Sequence, residues 1–188
     1  VHAQPAHSTP VIIAHRGASG YLPEHTLAAA AMAYAQGANF IEQDVALTKE
    51  GIPIVLHDIY LDLTTNVRDV YPNRARPDGK WYVIDFTLEE IKTLRVSERM
   101  QPDSKAAVFP NRFPVGKSHF TVPTLAEHIE MIQGLNSSTG NNVGIYPELK
   151  KPAFHTQEGY DIGRIVLDLL AEYGYQGPKA NVYVQCFE

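Results

Sequence analysis

The chain has 188 residues, 44% of them hydrophobic and 20% charged, which is the composition of a globular protein with one sizeable core. A formal net charge of −5 argues against a nucleic-acid-binding protein, because that class usually carries a basic surface. The single cysteine, Cys186, excludes an internal disulfide, and no apolar run reaches the roughly 20 residues that span a bilayer.

The N-terminal residues 1–10 carry neither a start methionine nor the apolar stretch of a signal peptide. We interpret this segment as a tail left by processing or cloning, an interpretation with which an exported mature protein is compatible. The folded part of the chain is therefore expected over residues 11–188.

The first folded segment alternates strand, helix and strand. Val11–Ala14 is a short apolar run typical of a buried strand. The alanine-rich Leu27–Gln36 predicts a helix, for which Thr26 is the natural N-cap and Gly37 the left-handed residue that ends it. Phe40–Leu47 follows as the second strand. This order is the signature of a parallel sheet and predicts an α/β fold.

A third predicted strand, Pro53–Leu56, precedes a region that breaks this rhythm. Residues 58–120 contain five prolines and only one convincing helix, which starts at the capping box Thr87-Leu88-Glu89-Glu90. A long stretch with so little regular structure is unusual inside a compact domain. We therefore expect residues 58–120 to form an inserted subdomain or lid.

The remaining elements follow in chain order. They are a helix from the capping box Thr124-Leu125-Ala126-Glu127 to about Gln133, a polar loop over Asn136–Asn142, a strand over Val143–Leu149, a helix over Tyr160–Tyr173 that Gly174 ends, and a last strand over Val182–Phe187.

Two acidic side chains share one face of the second predicted strand. Because side chains alternate along a strand, Glu42 and Asp44 point the same way. Two carboxylates on an apolar strand repel each other and are costly to desolvate unless something neutralises them. A hard divalent cation such as Ca²⁺ or Mg²⁺ is the simplest partner. Glu148 and Lys150 repeat the two-residue spacing on a later strand, which makes Glu148 a third candidate.

Two histidines stand where predicted strands end. His15 follows the first strand and His57 follows the third, and imidazole titrates near neutral pH, which suits proton transfer in both directions. Ligands of α/β sheets and barrels bind at the carboxyl ends of the strands, which favours these two histidines over the chain's other six. Arg16, next to His15, offers a planar guanidinium for a phosphate group.

Competing catalytic signatures are missing from the sequence. It contains no GxGxxG, GxxxxGK[ST] or HExxH motif. The small residues Gly17-Ala18-Ser19-Gly20 match a serine nucleophile elbow poorly, and a tight loop near a bound anion explains them better.

Seven short motifs resemble, in their order along the chain, the signature of glycerophosphodiester phosphodiesterases. They are His15-Arg16-Gly17, Pro23-Glu24-His25-Thr26, Gly37-Ala38, Glu42-x-Asp44, Gly51-x-Pro53, His57-Asp58 and Pro147-Glu148-Leu149-Lys150. The resemblance extends from about Val11 to Phe187. The residues at 24–26 and the long insertion after His57 are similar to the periplasmic bacterial branch of the family in particular.

The resemblance implies a TIM (β/α)₈ barrel whose small-molecule substrates are glycerophosphodiesters and whose products are glycerol 3-phosphate and an alcohol. It implies that the catalytic acid–base pair is His15 and His57. It implies one divalent cation, Ca²⁺ in preference to Mg²⁺, bound by Glu42, Asp44 and Glu148. The substrate phosphate would contact Arg16 and Lys150.

In the mechanism that the resemblance implies, the glycerol 2-hydroxyl attacks phosphorus. One histidine takes the hydroxyl proton while the other protonates the leaving alcohol, and the cyclic phosphate is then hydrolysed with the roles exchanged. Which histidine acts first as base stays open. The resemblance also implies a periplasmic or secreted protein without a nucleic-acid partner, and it leaves a homodimer open.

Chain length departs from the family pattern. A (β/α)₈ barrel typically needs about 250 residues, whereas only four or five barrel strands are apparent here. We therefore expect a barrel truncated after about half, whose open sheet edges need further chain or a partner segment. Two alternatives remain open: a protein that binds phosphodiesters or lipids without turning them over, and a related phosphodiesterase of the same barrel type that cleaves intact phospholipids.

Overall fold

The computed structural model describes residues 10–102 and 104–188, so nearly all of the expected tail over residues 1–10 lies outside the described residues. The elements are β1 (Ile13–Ala14), α1 (Leu27–Ala35), β2 (Phe40–Leu47), β3 (Pro53–Val55), α2 (Val67–Val70), a 3₁₀ turn (Val83–Asp85), α3 (Leu88–Lys92), α4 (Leu125–Thr139), β4 (Gly144–Leu149), α5 (Pro152–Gln157) and α6 (Ile162–Glu172). Within the described ranges, no helix combines the length and the apolar character needed to cross a membrane.

Strand β2 is the centre of a four-stranded sheet, and all of its residues are buried. It pairs in parallel with β1 on one side and with β4 on the other, where Phe40 lies opposite Gly144 and Val45 opposite Leu149. The predicted α/β fold with a parallel sheet is therefore confirmed. Strand β3 exists as expected, but it returns antiparallel to β2, because the chain reverses at Gly51.

Helix α1 covers the parallel pair β1–β2 and is bounded by the residues that the sequence indicated. The Thr26 hydroxyl accepts a hydrogen bond from the Ala29 N–H at 3.1 Å, and Gly37 takes a left-handed φ of +86°. Its alanines let the helix approach the sheet closely. The main apolar core fills the space between the sheet and helices α1, α4 and α6, with Ile41, Ala30, Ile129 and Val166 among its buried members.

Residues 58–120 pack around a second apolar cluster, which includes Leu61, Trp81 and Phe86 and also takes in Ile54 of β3. Among the described residues of this segment, the helices and strands are limited to the short helices α2 and α3 and the 3₁₀ turn, two elements more than predicted. The capping box of α3 is present as predicted, with both reciprocal bonds between Thr87 and Glu90.

The C-terminal part of the chain differs from the prediction at three points. Helix α4 does not end near Gln133 but continues through the first half of the expected loop to Thr139, where Gly140 adopts a left-handed φ of +74°. Helix α5 was not predicted, although Pro152 stands at its first position, where proline is favoured. The expected last strand, Val182–Phe187, reaches β4 through two parallel bridges only, at Val182 and Gln185.

Candidate active site

The carboxylates of the predicted site lie on one face of the pair β2–β4. Asp44 stands opposite Glu148 in the parallel register, and Glu42 stands opposite Tyr146. Glu42, Asp44 and Glu148 are all buried. The alternation of side chains along β2 places Glu42 and Asp44 on one face, and the pairing of β2 with β4 brings Glu148 beside Asp44.

The loop after β1 wraps over these carboxylates. The backbone N–H of Arg16 donates to Glu42 Oε2 at 2.6 Å, with Arg16 in a left-handed conformation (φ +60°). Gly17 follows at φ +75°, and a Cβ at that position would lie 2.8 Å from the backbone carbon of Ala29 in α1. Only glycine permits this close approach without strain. Of the two glycines in the expected tight loop Gly17–Gly20, Gly17 is thus the one that the backbone geometry requires.

His25 joins the carboxylates, although sequence reasoning gave it no role. Its Nε2 donates to Asp44 Oδ2 at 2.7 Å, and the backbone takes a left-handed φ of +63°. Ligand atoms of His25, Glu42 and Asp44 lie within 4.8 Å of one another, so this group can hold a metal ion. The one available signal was the position of His25 inside the Pro23–Thr26 motif. The direction of the His25 side chain depends on the fold of the loop, which strand periodicity does not reveal.

Charge is distributed unevenly over the two carboxylates of β2. Burial and the neighbouring charge of Asp44 raise the pKa of Glu42 to about 8. Burial also acts to raise the pKa of Asp44, but the hydrogen bond from His25 and the electrostatic influence of His25, His57 and Lys150 hold it well below its usual range. Glu42 Oε1 is buried and has no hydrogen-bond partner. A divalent cation fits this donor set, because it would satisfy that oxygen and stabilise both ionised carboxylates.

Lys150 and Glu148 complete the carboxylate group from β4. Lys150 Nζ lies 2.6 Å from Glu148 Oε1 and 3.3 Å from Asp44 Oδ1. The side-chain amide of Gln185 donates to Glu148 Oε2 at 2.7 Å, so the final segment of the chain also reaches the site. Glu148 is therefore near Asp44 but is held by an ammonium and an amide.

The two predicted catalytic histidines come from different segments beside this group. His15 is exposed, and partial burial together with the charge of Arg16 lowers its pKa, while Asp44 acts in the opposite direction. His57 is half-buried, and its Nδ1 donates to Asp58 Oδ1 at 3.0 Å. Although burial opposes it, the hydrogen bond from His57 and the guanidinium of Arg99 lower the pKa of Asp58 to about 2. Asp58 is thus an ionised partner for His57 at neutral pH.

The guanidinium of Arg16 lies beside two carboxylates. Its Nη1 donates to Glu24 at 3.2 Å, and its Nε lies 3.6 Å from Asp44 Oδ2. Glu24 in turn accepts hydrogen bonds from Arg99. Sequence reasoning missed Glu24 and Arg99, because a charged residue at position 99 of a proline-rich segment carries no local signal for a contact 75 residues away.

With this geometry established, comparison with known proteins identifies the family. The sequence profile of the glycerophosphoryl diester phosphodiesterase family matches residues 15–188. The chain belongs to this family. The resemblance inferred from the seven motifs is confirmed.

Two curated relatives and one solved structure illustrate the similarity within the glycerophosphoryl diester phosphodiesterase family. Glycerophosphodiester phosphodiesterases of Haemophilus influenzae and Treponema pallidum are 53% and 45% identical over 96% and 95% of this chain, and over 50% and 51% of their own length. The chain thus spans about half the length of these relatives. An Oleispira antarctica phosphodiesterase, solved in complex with the product sn-glycerol-3-phosphate, is 28% identical with a TM-score of 0.65, covering 95% of this chain and 58% of the other.

Proposed function

We propose that this chain supplies the catalytic residues of a metal-dependent glycerophosphodiester phosphodiesterase. Its substrates would be small glycerophosphodiesters such as glycerophosphocholine and glycerophosphoethanolamine, and its products glycerol 3-phosphate and an alcohol. The observation that carries this proposal is the position of His15 and His57 beside the buried carboxylates of β2, within a chain of this family. The Oleispira relative, which holds sn-glycerol-3-phosphate as product, supports the product class.

The proposed cation ligands are Glu42, Asp44 and Glu148, with His25 holding Asp44 in place by the hydrogen bond from its Nε2. The unpartnered oxygen of Glu42 supports this assignment. We favour Ca²⁺ over Mg²⁺, because Ca²⁺ accepts carboxylates in irregular geometry, whereas Mg²⁺ demands a near-ideal octahedron. When bound, the cation supplies Lewis-acid polarisation of the phosphoryl oxygens.

His57 is the proposed base of the first step. Because its Nδ1 proton is donated to the ionised Asp58, its Nε2 keeps a lone pair that can take the proton of the glycerol 2-hydroxyl. The hydroxyl oxygen then bonds to phosphorus as the bond from phosphorus to the alcohol oxygen breaks, and His15 protonates that leaving oxygen. In the second step, His15 takes a proton from water, the water oxygen bonds to phosphorus as the bond between phosphorus and the 2-oxygen breaks, and His57 gives its proton to that 2-oxygen.

The phosphate group is proposed to contact Arg16 and Lys150. Both cations lie beside the carboxylates: Arg16 bonds Glu24, and Lys150 bonds Glu148. Their ion pairs place positive charge at the edge of an acidic group. This arrangement compensates for the mildly acidic composition, which attracts no anion over a distance.

The parallel strands are proposed to be consecutive strands of a TIM barrel, with residues 58–120 as an inserted subdomain. Apolar side chains exposed along both outer segments of the sheet, among them Val11, Ile12 and Phe187, support this proposal, because a closed barrel would cover them. A periplasmic or secreted location and a homodimer stay proposals drawn from the family resemblance.

The test is a product assay with glycerophosphocholine and purified protein. We expect release of glycerol 3-phosphate with Ca²⁺ or Mg²⁺ and none after chelation with EDTA. Binding of glycerophosphocholine without product over hours would instead support a non-catalytic binding protein. Cleavage of lysophosphatidylcholine in preference to glycerophosphocholine would support a phospholipid-cleaving relative.

A further inference from the structure

Arg99, from the segment 58–120, joins two loops that carry the proposed phosphate-binding arginine and one proposed catalytic histidine. Its Nη1 donates to Asp58 Oδ2 at 2.7 Å, and its Nε donates to Glu24 Oε2 at 3.2 Å, with a further bond from Nη2 to Glu24. The planar guanidinium thus bonds carboxylates from two separate parts of the chain. Its side chain is only 14% exposed, so water competes weakly for these bonds.

On one side of Arg99, the contact continues to His57. Asp58 uses one oxygen for Arg99 and the other for the His57 Nδ1–H at 3.0 Å. Because Arg99 fixes one oxygen of this carboxylate, the other oxygen can accept a hydrogen bond only from a fixed direction. The bond from Arg99 therefore restrains both the orientation of the Asp58 carboxylate and the orientation of the imidazole.

On the other side of Arg99, the contact continues to Arg16. Glu24 accepts from both guanidiniums, and its side chain is only 5% exposed. A buried carboxylate that loses one of two cationic partners is drawn to the remaining one. Without Arg99, Glu24 would hold Arg16 alone and would compete with a substrate phosphate for that guanidinium.

The backbone around Arg99 is fixed to the segment that follows His57. The N–H of Met100 donates to the Leu63 carbonyl at 2.8 Å, and the N–H of Ser97 donates to the Thr64 carbonyl at 2.9 Å. The Arg99 carbonyl also accepts from Val108 at 2.8 Å. The guanidinium is consequently presented from a hydrogen-bonded part of the segment rather than from a free loop.

We propose, building on the function proposed above, that Arg99 is a positioning residue that aligns His57 through Asp58 and Arg16 through Glu24. Segment 58–120 then contributes a positioning residue to the proposed active site, since its arginine sets the relative placement of the catalytic imidazole and the phosphate-binding guanidinium. Arg99 acts on the reaction through these two carboxylates. Its loss should therefore lower kcat through the contact from Asp58 to His57, and should raise KM through the contact from Glu24 to Arg16.

The decisive comparison uses variants that separate the two routes. Arg99→Gln removes both, and we expect kcat to fall about 10- to 100-fold and KM to rise. Asp58→Asn breaks only the route to His57 and leaves the bond between Arg99 and Glu24, so kcat falls while KM stays near the wild-type value. Arg99→Lys places a point charge that cannot span both carboxylates, and we expect it to restore only part of the activity.

Arg74→Gln is the matched control, because Arg74 lies in the same segment and also makes two hydrogen bonds, to Glu90 and to the Asp85 carbonyl. Thermal unfolding of every variant is followed by circular dichroism. If Arg99→Gln does not fold, Arg99→Lys and Asp58→Asn carry the test. The positioning role is refuted if the folded Arg99 variants keep kcat and KM within twofold of the Arg74 control.

A second readout does not depend on turnover. Long-range ¹H–¹⁵N NMR of the His57 ring should show the Nδ1–H tautomer in the wild type and a mixture of tautomers in Arg99→Gln. If the wild type hydrolyses no glycerophosphodiester but this change occurs, the proposed function fails and the positioning role stands. If the wild type is active and the ring signals of Arg99→Gln match those of the wild type, the positioning role fails and the function stands.

Discussion

Asp44 and Glu148 stand opposite each other across the parallel strands β2 and β4, and the ammonium of Lys150 lies between their carboxylates. Lys150 therefore neutralises the same oxygens that a divalent cation would bind. The proposed divalent cation would compete with Lys150 for these oxygens, and its coordination would release the ammonium. Such an exchange would connect the two roles proposed for the β4 residues, since the released ammonium would be free for a substrate phosphate.

Metal binding is expected to stabilise the folded protein through Glu42. Ca²⁺ at about 100 times its dissociation constant should raise the free energy of unfolding by about 2.7 kcal/mol. Glu42→Gln should abolish this gain, because it removes an anionic ligand while it keeps the shape of the side chain. Urea unfolding with and without Ca²⁺, together with isothermal titration calorimetry, measures the effect.

Glu172→Gln is the control for the metal experiment, because it removes an exposed carboxylate of α6 that is remote in sequence from the proposed ligands. It should keep the full stabilisation by Ca²⁺. Equal stabilisation of the wild type and Glu42→Gln would show that the ion binds elsewhere.

The two catalytic assignments predict loss of turnover with an intact fold. His15→Ala and His57→Ala should each lower kcat for glycerophosphocholine by about 100- to 10,000-fold, the usual range for loss of a general acid or base. Both side chains retain solvent exposure, so the melting temperature should change little. Replacement of the exposed His119 by alanine provides the control. Full activity of either variant would overturn the acid–base pair.

Local signals in the sequence were sufficient for the part of the fold that positions Glu42 and Asp44. The Thr26 cap, the left-handed Gly37 and the buried strand β2 all depend on residues near one another in the chain. The alternation along β2 then placed both carboxylates on one face. Their proximity to Glu148 depends on the pairing of β2 with β4, for which the family motif rather than periodicity was the guide.

The parts that sequence reasoning missed depend on contacts over long distances. Arg99 is 75 residues from Glu24, and His25 reaches Asp44 only because its loop adopts a left-handed backbone. Gly140 did carry a local signal for the end of α4, but the polar residues before it resembled a loop. The Asn136 side chain donates to the Val143 carbonyl and accepts from the Val143 N–H, so one of those polar residues binds the residue just before β4 instead.

His128 should make the stability of the protein depend on pH. It is buried in α4, and its Nε2 donates to the His25 carbonyl at 2.9 Å. Burial lowers the pKa of His128 to about 4, although the hydrogen bond to the His25 carbonyl and the charge of Glu127 act against it. Since the unfolded chain takes up this proton near the ordinary value of 6.5, the stabilisation is complete above that pH.

As the pH falls from 6.5 towards 4, His128 should cost the folded state about 3 kcal/mol. His128→Gln retains a donor for the His25 carbonyl but does not titrate, so its free energy of unfolding should vary less over this range. Urea unfolding at a series of pH values measures the difference. His119→Gln, at an exposed position, should follow the wild-type curve, and a parallel curve for His128→Gln would contradict the assignment.

Gly17 should be indispensable for the loop that presents His15 and Arg16. Its φ of +75° disfavours any residue with a Cβ, and a Cβ would lie 2.8 Å from the carbon and 3.0 Å from the oxygen of the Ala29 carbonyl. These atoms belong to the backbone of α1, so they cannot rotate away. The loop or the helix must shift, and the Arg16 N–H would then lose its 2.6 Å bond to Glu42.

Gly17→Ala should therefore lower the free energy of unfolding by at least about 1–3 kcal/mol and should also reduce kcat, because His15 precedes the displaced residues. Gly20→Ala is the matched control from the same loop: a Cβ there meets no atom within 4 Å and the φ is not left-handed. Its stability should stay within about 0.5 kcal/mol of the wild type. Equal stability and activity of the two variants would mean that the loop does not depend on the close approach of Gly17 to α1, and that His15 is positioned by other contacts.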